Sequence, residues 1–204
     1  MSKYLDVTIG GIAYRIPRGY VSSISYKSKG VVKHVSIDLS YPDMEPITKM
    51  SVSERNAPGF GRQIGLLVQT YDRTPRLDAI LNNMHNAGMA SRSGIDYSMD
   101  GIQKLPAIKP MWDNEDRYVL IRNSLLAMIL SCNRSKPGTN PGCHFYADFG
   151  HNFGIQGSFG RKFLEEVEFV NGALIKLFDS FKVESSKTVQ SNTSTLSRDG
   201  ESYV

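Results

Sequence analysis

Cys132 and Cys143 are the only cysteines in 204 residues, and each borders an apolar run. Leu125-Leu126-Ala127-Met128-Ile129-Leu130 leads up to the first, and Cys143-His144-Phe145-Tyr146-Ala147-Asp148-Phe149 starts at the second. Between them, Pro137-Gly138 and Pro141-Gly142 mark turns, because proline presets φ and glycine accepts positive φ. Two strand-like runs returning side by side bring the sulfurs within bonding range. The spacing therefore favours a disulfide, worth roughly 2–3 kcal/mol for so short a loop. A reduced pair and a zinc site using Cys132, Cys143, His144 and His151 stand as alternatives. Zinc sites usually show Cys-x-x-Cys or His-x-x-x-His spacing, which is absent here. A bonded pair implies an oxidising compartment such as a bacterial periplasm.

After Ser158, residues Phe163, Val167, Val170, Leu174, Leu177 and Phe181 recur at intervals of three and four, which puts them on one helical face. Glu165, Glu166 and Glu168 sit early, where the helix dipole favours negative charge. Gly172 interrupts this helix and marks a point of expected close packing.

Upstream, Leu5–Ile9 and Ile12–Ile16 flank Gly10-Gly11 and read as a hairpin. Val31 to Tyr41 alternates, with Val35, Ile37, Leu39 and Tyr41 on one face and Ser36, Asp38 and Ser40 on the other. Pro42 ends that strand, and a polar loop runs from Asp43 to Arg62. Ile64 to Tyr71 reads as a strand. Pro75 to Ala87 reads as a helix, with Leu77, Ile80, Leu81 and Met84 on one face and Gly88 as its stop. Tyr97–Leu105 and Tyr118–Ile121 add strands; Leu125–Cys132 fits either strand or helix. The pattern predicts an α+β fold: a largely antiparallel sheet, a C-terminal amphipathic helix and one or two further helices. Residues 1–181 form one globular domain on this reading. Residues 182–204, mostly polar, form a disordered tail.

Several function classes find little support. The net charge of +4 falls within residues 1–40, where six Lys/Arg face two Asp. No basic run reaches nucleic-acid density, so no nucleic-acid partner is expected. No apolar stretch is long enough for a membrane span, and Met1–Asp6 lacks a signal-peptide core. The compartment is thus periplasmic if a leader has been removed and cytoplasmic otherwise. Gly59-Phe60-Gly61-Arg62-Gln63-Ile64-Gly65 has its third glycine one residue late for a dinucleotide loop and no strand before it. Asp148-Phe149-Gly150 lacks the other kinase motifs. Asp113-Asn114-Glu115-Asp116 lacks calcium-loop spacing and reads as a solvated turn. His34, His85, His144 and His151 show no partner spacing that marks a base or ligand. No catalytic residue, metal or cofactor is expected.

Two parts of the chain carry a family likeness. The first is Tyr14-Arg15-Ile16-Pro17-Arg18-Gly19-Tyr20-Val21, followed by Leu39-Ser40-Tyr41-Pro42-Asp43-Met44-Glu45-Pro46. The second is the Cys132–Cys143 pair, then Ile155-Gln156-Gly157-Ser158-Phe159-Gly160-Arg161-Lys162-Phe163-Leu164 and the closing helix. Together they resemble the small immunity proteins that accompany type VI secretion effectors. In that family an Ile-Pro segment precedes a strand ending at a Tyr-Pro-Asp turn. A Phe-x-Arg-x-x-Leu helix start follows, usually with a tryptophan soon after; Val167 or Phe169 takes that place here. The resemblance implies a periplasmic or membrane-facing, non-enzymatic protein that binds and occludes a cognate effector toxin, often a lipase or membrane-directed effector. Such occlusion depends on a few aromatic and arginine anchors. Tyr41, Asp43, Met44, Phe60 and Arg62 in the long loop, and Trp112 in Pro110–Asp113, are the expected partner-binding residues. An enzyme of unrecognised type and a cytoplasmic adaptor using the basic N-terminal region are the rival readings.

Overall fold

A computed structural model describes residues 2–9, 11–26, 32–55, 61–69, 76–112, 114–134, 141–148 and 154–183. Phe60, His151, most of the turn between the cysteines and the tail from 184 onward lie outside the described residues. Eleven strands and three α-helices are defined within them: β1 (Tyr4–Ile9), β2 (Ile12–Pro17), β3 (Val21–Tyr26), β4 (Val32–Ser40), β5 (Glu45–Pro46), α1 (Val52–Arg55), β6 (Gln63–Gln69), α2 (Leu77–Asn86), β7 (Gly101–Leu105), β8 (Glu115–Arg122), β9 (Leu125–Asn133), β10 (Gly142–Asp148), β11 (Gly154–Gly160) and α3 (Val167–Phe181). The predicted α+β class is the observed one. Strands β1 and β2 form their own hairpin; the other nine build one antiparallel sheet in the order β3-β4-β6-β11-β10-β9-β8-β7, with β5 added against β4.

One face of the sheet carries the main core. Val35, Ile37 and Leu39 of β4 lie in register with Val68, Leu66 and Ile64 of β6. Ile155 and Phe159 of β11, Phe145 and Ala147 of β10, and Met128 and Leu130 of β9 continue the layer. Helix α3 and the hairpin cover it. Val167, Val170, Leu174, Phe178 and Phe181 are buried on the helix, while Leu177 is only half-buried. Edge-on ring contacts of Phe178 with Tyr14, and of Phe181 with Tyr20, join the helix to the hairpin and to the turn that follows it. On the opposite face a smaller core forms over β7–β9, where Leu77, Leu81 and Met84 of α2 meet Leu105, Val119, Ile121 and Ile129. The run Leu125–Leu130 is therefore a strand, and its inner part, Met128–Leu130, is covered on both faces, the arrangement in which alternation disappears.

The cysteines meet as anticipated: Cys132 and Cys143 are register partners on β9 and β10, and they are bonded. Replacing both with serine is expected to lower unfolding free energy by about 2–3 kcal/mol, from the short loop released. The midpoint of guanidinium unfolding, with and without reductant, measures it.

Several expected boundaries move. Residues 97–100 are turn, and β8 begins at Glu115, so Glu115 and Asp116 are strand residues instead of a solvated turn. Strands β3 and β11 went unread. β11 holds glycines at 154, 157 and 160, which hide its apolar pair Ile155 and Phe159. Gly157 is required there: a Cβ would collide with the Phe145 ring and lie 2.9 Å from the Gly65 carbonyl oxygen. Gly157→Ala overpacks this central position and is expected to cost about 1–3 kcal/mol in chemical unfolding. At Gly172 the expectation of close packing fails. The nearest atom to a Cβ there is Arg122 Nη1 at 3.7 Å, an ordinary contact. Gly172→Ala should raise the urea midpoint, gaining about 0.5–1 kcal/mol of helix propensity.

Candidate interaction surface

Two of the residues expected to meet a partner are buried. Tyr41 is 4% exposed and Met44 6%, so neither presents the surface that an anchor needs. Alternation along β4 explains the first: Tyr41 continues the buried face of Val35, Ile37 and Leu39. Its ring packs against Phe163 at 4.5 Å between centroids, and its hydroxyl donates to Glu166 Oε2. Burial first, then the hydrogen bond and charge of Glu166, push the Tyr41 pKa up to about 12. Arg62 ties the loop shut, donating from Nε to the Tyr41 carbonyl (2.6 Å) and pairing with Asp43 (3.3 Å) and Glu54 (3.8 Å). Asp43 and Arg62 remain exposed. Trp112 is half-buried; its carbonyl accepts from Arg117 Nη1 (2.7 Å), and its ring lies 5.9 Å from that guanidinium. Each of these groups holds its own neighbourhood together.

Three of the exposed large apolar side chains, Tyr97, Leu125 and Phe169, line cavities beside the β8–β9 turn. Asn123 and Ser124 both adopt positive φ, 52° and 60°, the geometry of a tight two-residue hairpin. Neither is glycine, so the turn needs outside support. Asp100 supplies it: its carboxylate accepts from the backbone N–H of Asn123 (3.0 Å) and of Ser124 (3.2 Å). The clamped turn leaves Leu125 69% exposed, beyond the cover that protects the rest of β9. Leu125 and Tyr97 line a cavity of about 520 Å³, whose walls include Leu126, Ala127, Asn171 and Ile175. Phe169, 55% exposed and off the buried stripe of α3, lines a neighbouring cavity of about 360 Å³. Arg122 and Asn123 line both. Phe169 also meets Tyr41 edge-on at 6.0 Å, so the expected loop abuts this cluster. Tyr97 and Arg122 are of the residue types that dominate binding anchors, and exposed apolar area such as that of Leu125 and Phe169 marks interaction surfaces.

The opposite half of the sheet holds a different group. Asp38, Gly65, Ser158 and His144 follow one another across β4, β6, β11 and β10 in one cross-strand row. Asp38, Ser158 and His144 line a shallow polar depression. A nucleophile–base–acid relay needs the histidine between serine and carboxylate. Here the serine lies in the middle, and no hydrogen bond joins the three. Among the described residues, no three His, Cys, Asp or Glu side chains are grouped to hold a metal. No helix among them is long and apolar enough to cross a membrane.

Comparison with known proteins adds the fold relationship. No protein-family model matches the chain, and no curated protein does. Two solved structures match. Smlt3025, an immunity protein of the Stenotrophomonas maltophilia type IV secretion system, superposes with a TM-score of 0.60 at 16% identity, over 89% of this chain and 94% of that one. FrpD, an iron-regulated outer membrane lipoprotein of Neisseria meningitidis, superposes with a TM-score of 0.52 at 12% identity, over 88% and 92%. The chain shares their fold. Smlt3025 belongs to a type IV secretion system, whereas the motif likeness is to immunity proteins of type VI systems.

Tyr97, Arg122, Leu125 and Phe169 are not among the partner-binding residues expected from the sequence. Phe169 left a signal, as an aromatic outside the apolar stripe of its helix. Leu125 left another, since a run of six apolar residues outlasts the cover that one short helix provides.

Proposed function

We propose that this chain is an immunity protein that binds and occludes a cognate antibacterial effector, protecting the cell that makes it, without turning over a substrate. The fold shared along nearly the whole length with Smlt3025 carries this reading. Fold alone does not assign function, so the surface must supply the second argument. The group Tyr97, Arg122, Leu125 and Phe169 supplies it, an exposed apolar and cationic cluster clamped by Asp100.

On this reading the hairpin cluster is the centre of the interface, and Asp43 and Arg62, beside Tyr41 and Phe169, lie toward its rim. Trp112 belongs to a more distant edge. Rim charges alter association rate and salt dependence more than they alter affinity. The disulfide favours an oxidising compartment, the periplasm, as the place of action. For the toxin, the motif likeness favours a type VI effector of the lipase or membrane-directed kind.

The test is co-expression with the toxin encoded beside this gene, exported to the periplasm. Protection that disappears when the chain is left in the cytoplasm supports the assignment and its compartment. Killing that continues at equimolar expression in either compartment refutes the assignment.

A further inference from the structure

The open end of the β1–β2 hairpin borders a further concavity, of about 490 Å³, that the effector interface proposed above does not use. Tyr4, Pro17, Tyr20 and Phe181 give it apolar walls, and Arg15 and Lys182 line it beside them. Three contacts between separate parts of the chain build these walls. The Arg18 N–H donates to the Lys3 carbonyl (3.0 Å), the Val183 N–H donates to the Ala13 carbonyl (2.9 Å), and the Tyr20 ring meets Phe181 edge-on at 5.2 Å. Tyr4 is 45% exposed, so aromatic surface is left open to a partner. The volume falls within the range of sites that enclose small ligands or a whole side chain.

Charge around this cavity is one-sided. Arg15 pairs with Asp6 (2.7 Å) and Lys182 with Asp179 (2.6 Å). Glu45 and Lys49, whose charges reach Tyr20, pair with each other (2.6 Å). Lys3 and Arg18 adjoin Tyr4 and Pro17 in the chain, are exposed, and have no ion pair among the described residues. Two cations thus stand without a carboxylate next to aromatic walls. We infer that this cavity docks an acidic segment of a protein partner, with one aromatic side chain inside it and carboxylates on either side meeting Lys3 and Arg18. Aromatic walls suit an aromatic ring, and guanidinium and ammonium groups suit carboxylates. A concavity takes a side chain, whereas a lipid surface is met by a projecting apolar face. The site lies past the C-terminal end of α3 and Phe169 lies near its N-terminal end, so roughly 20 Å of helix separates it from the hairpin cluster. Its occupant does not depend on the immunity reading.

The test titrates the full-length ¹⁵N-labelled chain with the peptide acetyl-Asp-Glu-Phe-Glu-Asp-amide, and separately with its Asn-Gln-Phe-Gln-Asn and Asp-Glu-Gly-Glu-Asp counterparts. Saturable shifts of the Tyr4, Tyr20 and Val183 backbone amides are expected with the first peptide, and much weaker binding with the other two. Affinity should fall about five-fold between low and physiological salt, because exposed charges are screened. Lys3→Gln combined with Arg18→Gln should weaken binding about five-fold and leave the melting temperature unchanged, since neither side chain has an ion pair within the fold. No saturable shift, an equal response to either control peptide, or unchanged affinity in the double variant would overturn the site. Pelleting of the chain with phosphatidylglycerol vesicles, lost in the double variant and unaccompanied by any peptide response, would overturn it in favour of a lipid surface.

Discussion

Asp116→Asn is expected to destabilise the protein by about 3 kcal/mol at neutral pH and to abolish the steepest part of its acid sensitivity. The Asp116 carboxylate is 8% exposed and meets three cations: Lys104 at 2.8 Å, Arg134 at 3.3 Å and Arg161. Arg161 also donates to the carbonyls of Asn133 (2.7 Å) and Cys132 (3.4 Å), so one carboxylate fastens β8, the end of β9 and the segment leading into α3. Burial alone would raise the pKa of this acid. Hydrogen bonds from Lys104 and Arg161, with their charges, outweigh burial and hold it at about 2. The folded value lies below the ordinary aspartate value near 3.9. The associated stability is therefore complete above about pH 4 and is lost as pH falls through about 2. Its size is on the order of 2 kcal/mol, and asparagine loses more because it leaves three cations facing a neutral group. Urea unfolding from pH 7 down to pH 2 measures both effects. The parent should lose stability faster than Asp116→Asn below pH 4; parallel curves would remove this residue from the account.

Leu125→Asp combined with Phe169→Ala should weaken effector binding at least 100-fold while moving the melting temperature little. Both side chains are mostly solvent-exposed in the free chain, so few contacts within the fold depend on them. At an interface the relation reverses, because central anchors carry most of the affinity and each costs about 2 kcal/mol or more on truncation. Asp43→Ala and Arg62→Ala, assigned to the rim, should change affinity by less than about five-fold. The contrast between the two pairs locates the binding centre. A larger loss at Asp43 and Arg62 than at Leu125 and Phe169 would move it to the long loop.

Parts of this molecule were legible before any coordinates. Alternation in β4, helical spacing in α2 and α3, and the position of the cysteines rest on local rules, and the structure follows them. Tyr41 shows how a local rule can be passed over. The alternation that placed it beside Val35, Ile37 and Leu39 already directed it into the core, yet its neighbours in the loop drew it to the surface. Strand β11 failed for another reason. Gly157 exists to admit the Phe145 ring from the next strand, and no window of β11 alone contains that fact. The hairpin cluster was hidden in the same way: Asn123-Ser124 turns tightly only because Asp100, far back in the chain, caps it. Asn171 was legible as an exception to the α3 stripe, a carboxamide one turn after Val167 and one before Leu174 and Ile175, on a face that should be apolar. Long-range partners decided the rest.

Isothermal titration of the full-length chain against the purified toxin encoded beside its gene tests the central claim most directly. One-to-one binding with a nanomolar or tighter Kd, and loss of toxin activity at saturation, is the result predicted here. Absence of binding at micromolar concentrations, or binding that leaves the toxin fully active, would contradict it.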